Sequence, residues 1–358
     1  MPATEQSADE RRTEPSNQAR AARDTGRSST RSAQLSRFSG LAIWAAFIII
    51  FAIWVPDTFL TSSTLKTILG GQAITGILAL AVIVPLAAGS FDLAAAQNLG
   101  LSALVAGALM TRAPHLSPVM AIAVTLGMGM LIGVANGVLV AWVGVNSFIA
   151  TLGMSSLLLA AAGLIGRGEY VGPFPEHFTS ITEHSPLGIP IVVIYLTVLA
   201  VIGWYVLEHT PIGRRTYAAG ANADAARLAG VRTRRYVFGS LVVCGVLASV
   251  AGILLASSIN SANQGLGPAY LLPAYAAAFL GTTQLRPGRF NVWGTLLAIY
   301  LLGTGIQGLQ LAGGELWVTD LFNGVALIGA VSLSLVLQRR RGRREKAAAA
   351  RAAAPPGD

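Results

Sequence analysis

Cysteine and lysine are almost absent from this chain of 358 residues, and charged residues of any kind are few. The single cysteine, Cys244, has no partner for an intrachain disulfide, and we interpret it as a packing residue. The lysines are Lys66 and Lys346, and neither follows a glycine-rich loop. The chain therefore lacks the G-x-x-x-x-G-K-[ST] loop that holds nucleotide phosphates, which excludes an ATP-hydrolysing subunit.

Side chains that carry chemistry are equally sparse. The histidines lie in or beside predicted loops and show neither H-E-x-x-H nor another metal-ligand spacing. No order or context suggests a Ser-His-Asp or Cys-His nucleophile. We therefore expect no catalytic residue, no metal site and no cofactor in this chain. The histidines are His115, His177, His184 and His209.

Apolar and small residues are abundant instead. Hydrophobic residues make up 53% of the chain and charged residues 11%, and the mean hydropathy is +0.62. Ordinary soluble domains are about one quarter charged, so this composition indicates a bilayer protein. The 40 glycines fit helices that approach closely or break within lipid. The predicted fold class is an all-α, polytopic integral membrane protein.

Ten apolar stretches have roughly the 17 to 25 residues that a membrane-spanning helix needs. The stretch at 269–283 is short and contains a proline, so a nine-helix alternative stays open. The ten predicted spans are 38–56, 65–86, 92–111, 118–141, 147–166, 189–207, 237–257, 269–283, 292–311 and 317–337.

Polar tails flank the membrane domain, which we place at 37–338. Residues 1–36 are rich in Ser, Arg, Glu and Ala and are predicted to form a disordered cytoplasmic tail. Residues 339–358 form a basic cytoplasmic tail, "RRRGRREKAAAARAAAPPGD", suited to an anionic membrane surface.

The basic residues predict the orientation, because cytoplasmic loops hold an excess of Lys and Arg. With ten spans and both termini inside, only Lys66, Arg112 and Arg167 of the 25 basic residues fall outside the inner segments. The net charge of +9 is then a topogenic signal and a match to anionic lipid. Nucleic-acid binding is not needed to explain it.

The inner loop 208–236 is longer and more basic than a helix connection requires. It contains a predicted short helix, with Asn222 as N-cap, Asp224 in the first turn and Gly230 as the stop signal. We interpret the loop as a docking site for another protein. The alternative is an amphipathic helix on the lipid surface, for which the apolar face is thin.

The stretch "TPIGRRTYAAGANADAARLAGV" resembles the coupling segment of ABC-importer permeases, and more narrowly that of the ribose/monosaccharide importer family. The resemblance implies that a cytosolic ATP-binding subunit grips this segment and holds the ATP and magnesium. The implied coupling residues are Arg214, Asn222, Asp224, Ala225, Ala226, Arg227 and Gly230.

Three further motifs carry the same resemblance in the same order. They are "GSFDL" (89–93), "NGVLVAWVGVNSFIATLG" (136–153) and "LGTTQLRPGRFNVWGT" (280–295). The chain departs from the family at Ser90, Ala94, Ala96 and Gln97, and it has Leu280 and Pro287 where glycines are typical. These departures lie near the implied solute path, so the resemblance carries over the transporter class better than a particular sugar.

The resemblance implies the permease subunit of an ABC importer for a ribose-type monosaccharide, in the bacterial inner membrane. The implied partners are the ATP-binding subunit, an extracytoplasmic solute-binding protein, a second permease subunit that is an identical copy, and membrane lipid. The loops at 167–188 and 257–270 are where we expect the binding protein.

A carboxylate within the hydrocarbon region is costly, about 2.5 to 3.5 kcal/mol on insertion scales, so Asp92 is expected to face the bundle interior or a cavity. After Gly89 and Ser90, it is placed to cap the next helix. The same broken segment is predicted to line the solute path, although helix–helix hydrogen bonding remains an alternative for each polar residue. The predicted path residues are Asp92, Gln97, Asn98, Asn136, Asn146, Phe148, Thr151, Asn263 and Gln307, with Ser257, Ser258, Asn260, Gln264 and Asn323 as further polar positions.

Other classes of membrane protein remain as alternatives. A branched-chain amino acid permease shares the general architecture but fits "ANADAARLAG" less closely. An ion-coupled secondary transporter would use Asp92 as its proton or sodium site. An integral-membrane enzyme would need titratable groups clustered at one interface, and here they are scattered.

Overall fold

The computed structural model describes residues 40–113, 116–286, 288–315 and 317–332. The predicted tails 1–36 and 339–358 lie outside the described residues, as do His115 and Pro287. Within the described residues there is no strand, and the only bridge pairs Val171 with Ala262. The all-α fold class is confirmed.

The helices reproduce the predicted pattern of apolar spans. In chain order they are α1 (Gly40–Trp54), α2 (Pro56–Phe59), α3 (Ser62–Ala87), α4 (Ala95–Arg112), α5 (Pro118–Val138), α6 (Ser147–Gly166), α7 (Glu176–Glu183), α8 (Ile191–His209), α9 (Pro211–Ala221), α10 (Ala223–Leu228), α11 (Thr233–Ile259), α12 (Pro268–Gly281), α13 (Val292–Leu311) and α14 (Trp317–Ser332).

Each of the ten predicted spans coincides with one of these helices. Six helices in the described part of the chain are long and apolar enough to cross a membrane. They are α3, α5 with the π-helical turn Leu139–Val143 that follows it, α6, α8, α11 and α13. Shorter apolar helices form α1, α12 and α14. The span predicted from residue 92 begins as α4 only at Ala95, because the preceding residues are not helical.

Hydroxyl and amide side chains set where several helices begin. Thr61 accepts the N–H of Thr64 at the start of α3, and Ser117 precedes Pro118 at the start of α5. Asn146 caps α6 and Asn291 caps α13 through their side-chain oxygens. Such caps satisfy amides that a helix leaves free at its N-terminus.

The centre of the bundle is α11, which packs against α3, α4 and α5. Along α5, Gly129, Gly133 and Gly137 recur every four residues and face α11. A Cβ at Gly133 would overlap the carbonyl oxygen of Leu241, and a Cβ at Gly245 would overlap the backbone of α5. Small residues therefore bring these two backbones together, as expected for helices packed within lipid.

Two long helices are each followed by a non-helical segment, which we call a helix break, and then by a shorter helix. The 26 residues of α3 are followed by the non-helical segment 88–94, and the 27 residues of α11 by the segment 260–267. Asn98, in the first turn of α4, donates to the carbonyl of Gly245, well inside α11, so α4 begins at depth.

The second break reaches the same depth from the opposite end of the bundle. The backbone of Gly267 lies against Ala96 and Gln97 at the start of α4. The 14 residues of α12 therefore cross only part of the bundle. The predicted break at 88–94 is present with Asp92 and Ala94 buried, whereas Gln264 and Gly265 of the second segment are exposed. Irregular backbone is tolerated at membrane depth where protein covers it or where it lines a water-filled cavity.

Basic residues separate between the two ends of the bundle. The arginine-rich segment 208–236 meets the α12–α13 connection, where Arg286 pairs with Glu208 at 2.8 Å. At the other end Arg112 donates to the carbonyl of Ile165, and the Lys66 side chain lies near Gly188. This separation agrees with the orientation predicted from the loops.

Replacing Gly133 with valine is expected to lower the thermal unfolding temperature of the purified protein. The added Cβ would overlap Leu241 and Val242, and overpacking of this kind costs about 1 to 3 kcal/mol. Gly127→Val, on the same helix, is the matched control because a Cβ there meets no atom within 4 Å. Equal unfolding temperatures for the two variants would contradict the close α5–α11 contact.

Candidate coupling surface and solute pathway

The segment 208–236 contains two helices where the sequence predicted one. Thr210 caps α9 by accepting the N–H of Gly213, and Pro211 occupies the first helical position. Both are ordinary helix-start signals, so α9 was detectable in the sequence. The segment therefore contains two consecutive short helices, separated only by Asn222, instead of one helix within a loop.

The predicted short helix is confirmed as α10. The Asn222 side-chain oxygen accepts the N–H groups of Asp224 and Ala225, at 3.1 and 3.0 Å. Arg227 pairs with Asp224 on the exposed side of the helix. Gly230 ends the turn at φ +81°, a left-handed conformation that favours glycine.

The apolar side chains of α10 point in different directions. The lipid-surface alternative needs Ala226 and Leu228 on one apolar face, but Ala226 is buried whereas Leu228 is 91% exposed. Leu228 projects from the arginine-rich end of the bundle beside the exposed Arg227. Leu228 is therefore the apolar side chain that α10 presents outward.

Polar contacts fasten α9 to the α12–α13 connection. The Tyr217 hydroxyl donates to the carbonyl of Phe290 at 2.6 Å, and the Arg289 guanidinium lies 3.5 Å from the centre of the Tyr217 ring. Burial raises the pKa of Tyr217 against the opposing effect of Arg289, so the hydroxyl keeps the proton that it donates. Arg214, a predicted coupling residue, lies exposed beside Tyr217 and Ala87.

The C-terminal end of α9 is in contact with the first helix break, the segment 88–94. A Cβ at Gly220 would overlap the carbonyl oxygen of Ala87 and the amide of Gly89. A Cβ at Gly89 would lie 3.0 Å from the Gly220 Cα, and Gly89 itself has φ +80°. Both glycines are therefore required for this approach, and it joins the coupling segment to the chain that carries Asp92.

Side chains of neighbouring helices satisfy the unwound backbone after Gly89. Phe91 N–H donates to Ser147 Oγ at 3.1 Å, and Leu93 N–H donates to Thr151 Oγ1 at 3.0 Å. Asp92 N–H donates to the Tyr275 hydroxyl at 3.1 Å. Three successive amides are thus held by α6 and α12, which removes the cost of leaving them unpaired.

The Asp92 side chain is buried and turned to the start of α4. Its Oδ1 accepts the Ala94 N–H at 3.1 Å and lies 3.4 Å from the Asn136 side-chain nitrogen. This bond closes the turn before the helix, because the N-cap of α4 is Ala94 and no side-chain cap hydrogen bond is formed there. Asp92 therefore lies beside the start of α4 as predicted, but it does not cap the helix. The carboxylate faces the bundle interior, as its cost in lipid requires.

The other predicted path residues occupy three kinds of position. Gln97, Asn98, Asn136 and Thr151 are buried, and Asn98 binds the Gly245 carbonyl across the α4–α11 contact. Asn146 and Asn263 accept backbone amides two residues ahead, in a helix cap and a turn. Phe148 is exposed near the start of α6. Their roles in solute passage stay predictions.

Gln307 lines a cavity of about 260 Å³ between α3, α12, α13 and α14. Amides and hydroxyls line it, and the Oδ1 of the buried Asn323 has no hydrogen-bond partner among the described residues. The sequence singled out Gln307 and Asn323 but missed Gln72 and Gln310, which read as ordinary polar residues within apolar spans. The polar lining comprises Thr67, Gln72, Thr75, Tyr270, Gln307, Gln310, Thr319 and Asn323.

Metal-binding geometry does not occur in the described ranges. No group of three or more His, Cys, Asp or Glu side chains is placed to hold an ion there. The arrangement instead offers a short exposed helix, a non-helical segment between α3 and α4, and a cavity lined by uncharged polar side chains.

Comparison with known proteins gives one family and several relatives. Residues 64–331 match the family described as "Branched-chain amino acid transport system / permease component". The Autoinducer 2 import system permease protein LsrD of Salmonella paratyphi B is 31% identical over 262 residues, covering 72% of this chain and 78% of that protein. The Ribose import permease protein RbsC of Escherichia coli K12 is 31% identical over 298 residues, covering 80% and 90%. No solved structure matches.

Tyr275→Phe is expected to destabilise the protein by about 1 to 3 kcal/mol, because the Asp92 amide would remain buried without an acceptor. Thermal unfolding in detergent measures the effect. Tyr205→Phe removes a hydroxyl from an exposed tyrosine on α8 and is the control. Wild-type stability in Tyr275→Phe would show that this hydrogen bond does not hold the break.

Proposed function

The chain belongs to the branched-chain amino acid transport system permease-component family, and on that premise we propose that it imports a monosaccharide or a closely related neutral solute. It is the membrane-spanning permease subunit of an ABC importer, a multi-pass protein of the inner membrane. The proposal concerns the solute, the partners and the route through the protein.

The cavity beside Gln307 carries the solute proposal. Among the residues that the structure describes, no charged side chain lines it, while amides and hydroxyls offer both donors and acceptors. A sugar is neutral and rich in hydroxyls, so its hydroxyl groups can form hydrogen bonds with both the donors and the acceptors of this lining. Asn323 Oδ1, buried without a partner in the described residues, supplies an acceptor for a solute hydroxyl.

The same lining argues against an amino acid. The ammonium and carboxylate groups of a zwitterion lose their hydration on entry, and no charged side chain lines the cavity in the described residues to pair with either group. The names of the relatives agree, since one imports ribose and another autoinducer 2. The ion-coupled alternative would make Asp92 the ion site, and that carboxylate is committed to Ala94 and Asn136.

ATP hydrolysis is assigned to a separate cytosolic subunit, which holds the ATP and the magnesium. This subunit binds α10 through an apolar contact with Leu228 and a polar contact with the neighbouring Arg227. An extracytoplasmic binding protein delivers the solute to the opposite end, near 167–188 and 257–270. A second permease subunit, an identical copy, completes the importer.

Motion passes from the ATP-binding subunit to the membrane through α9. Displacement of α9 changes the seating of Gly220 on Ala87 and Gly89, and so moves the segment 88–94. That segment carries Asp92 and leads into α4, whose first turn meets Gly267 of the second break. Two access states close in energy are then biased by partner contacts.

Leu228→Glu is expected to weaken association with the ATP-binding subunit at least tenfold, equivalent to about 1.4 kcal/mol. A charge replaces the exposed apolar side chain without disturbing the fold, because Leu228 contacts little of its own chain. Co-purification of the two subunits from membranes measures the effect, and Leu228→Met is the matched control. Undiminished co-purification of Leu228→Glu would exclude α10 as the docking helix.

Gly71→Leu is expected to abolish monosaccharide uptake by cells that express the complete importer. Gly71 lines the cavity and a Cβ there meets no atom within 4 Å, so the leucine occupies the space meant for solute. Uptake of radiolabelled ribose and related sugars provides the measurement. Gly127→Leu, also on a spanning helix with open space around it, is the control.

Two results would contradict the solute proposal. Wild-type uptake rates in Gly71→Leu would place the path elsewhere. Import of radiolabelled leucine but no sugar by the wild-type importer would show that the cargo is an amino acid.

A further inference from the structure

A second large hollow lies on the outer surface of the bundle, away from the solute cavity. It is an apolar groove of about 590 Å³ between α3, α8 and α11, with α9 at one end. Ile77 and Leu80 form its buried floor, and Ile202 and Val243 form exposed walls. The groove is therefore open along the side of the bundle.

The length of the groove corresponds to one leaflet of a bilayer. It extends along α11 from Arg235 to Leu247, a distance of about 18 Å at 1.5 Å per residue. The hydrocarbon core of a bilayer is about 30 Å thick, so the groove covers about half of it. The half covered is the one next to the arginine-rich end.

Arginines close the groove at that end. Arg235 and Tyr236 line both the groove and an adjoining cavity of about 290 Å³, whose lining also includes Arg215 and Arg232. Arg215 donates to the Tyr236 hydroxyl at 3.2 Å, which joins α9 to α11 at this point.

The positive charge of this cluster is not neutralised by the described part of the protein. The ion pairs there are Arg227 with Asp224 and Arg286 with Glu208, and neither includes Arg215, Arg232 or Arg235. Guanidinium groups bind phosphate through paired hydrogen bonds. An open basic cluster therefore adjoins an apolar groove one leaflet long.

We propose that this groove binds an anionic phospholipid of the inner leaflet, with an acyl chain along α8 and α11 and the phosphate held by Arg215, Arg232 and Arg235. Basic pockets between spanning helices on the cytoplasmic side recognise acidic headgroups in this way. A soluble phosphate compound would use the arginines but leave the apolar groove empty. A helix of another subunit would fill the groove without requiring the arginines.

The bound lipid has a consequence for the coupling segment. Ile212 and Thr216 of α9 line the groove, and Arg215 lies between them in sequence. A lipid held there contacts both α9 and α11, and so stabilises the position of α9, the helix that leads into α10. Anionic lipid content is then expected to affect how firmly the segment is held.

Native mass spectrometry of the full-length protein, released from nanodiscs of phosphatidylglycerol and phosphatidylcholine in equal amounts, tests the proposal. We expect retained phosphatidylglycerol to exceed phosphatidylcholine at least tenfold in the wild type. Arg235→Gln is expected to lose most of this preference, whereas the adjacent Arg234→Gln, which removes the same charge outside both cavities, keeps it.

A second pair of variants tests the groove itself. A Cβ at Gly239 meets no atom within 4 Å, and Gly239 lines the groove, so Gly239→Leu fills it without strain. We expect Gly239→Leu to release the lipid, while Gly127→Leu retains it. Thermal unfolding with added phosphatidylglycerol provides a parallel readout, with a stabilising shift of the wild type that both Arg235→Gln and Gly239→Leu lose.

Three outcomes would overturn the proposal. Equal retention of the two lipids by the wild type would remove the headgroup preference. Undiminished lipid in Gly239→Leu, with equal stabilisation by glycerol phosphate, would identify a site for a soluble anion. Unchanged lipid in Arg235→Gln, with loss of the ATP-binding subunit, would assign the arginines to protein docking.

Discussion

The contact between Gly89 and Gly220 is the constraint on which the other features of this permease depend. It joins a cytosolic helix, α9, to a break in a membrane helix at a distance that no larger residue permits. Because α9 is also fastened to the α12–α13 connection through Tyr217 and Phe290, the helix is held from two sides. With contacts on both sides, α9 has little freedom to move alone, so its displacement is expected to move the adjoining membrane segments.

The two helix breaks, 88–94 and 260–267, explain how a displacement of α9 is expected to reach the solute. One opens from the cytosolic end after α3 and the other from the opposite end after α11, and they meet where Gly267 rests on Ala96 and Gln97. Unwound backbone is costly in lipid, and here Ser147, Thr151 and Tyr275 satisfy the amides of the first break. Hydrogen bonds from three side chains hold the segment in place, and they can be exchanged without unfolding a helix.

Local signals in the sequence were enough to predict much of this architecture. Hydropathy predicted the positions of α1, α3 to α6, α8 and α11 to α14, and of these the structure identifies all but α4 as apolar helices. Asn222 and Gly230 predicted the ends of α10, and Gly89, Ser90 and Asp92 predicted the first break. The sequence did not reveal that Leu228 projects outward while Ala226 turns inward, because the orientation of a six-residue helix depends on what lies beneath it. Nor did it reveal the π-helical turn after α5, or the grouping of Gln72 with Gln310, since these depend on contacts between helices distant in the chain.

If α9 transmits motion to the membrane region through Gly220, the ratio of solute imported to ATP hydrolysed depends on that glycine. The complete importer, reconstituted in proteoliposomes with wild-type or Gly220→Val permease, provides both quantities at once. We expect the variant to assemble and hydrolyse ATP, while solute imported per ATP falls at least tenfold because α9 no longer contacts the break. An unchanged ratio in the assembled variant would contradict transmission through Gly220.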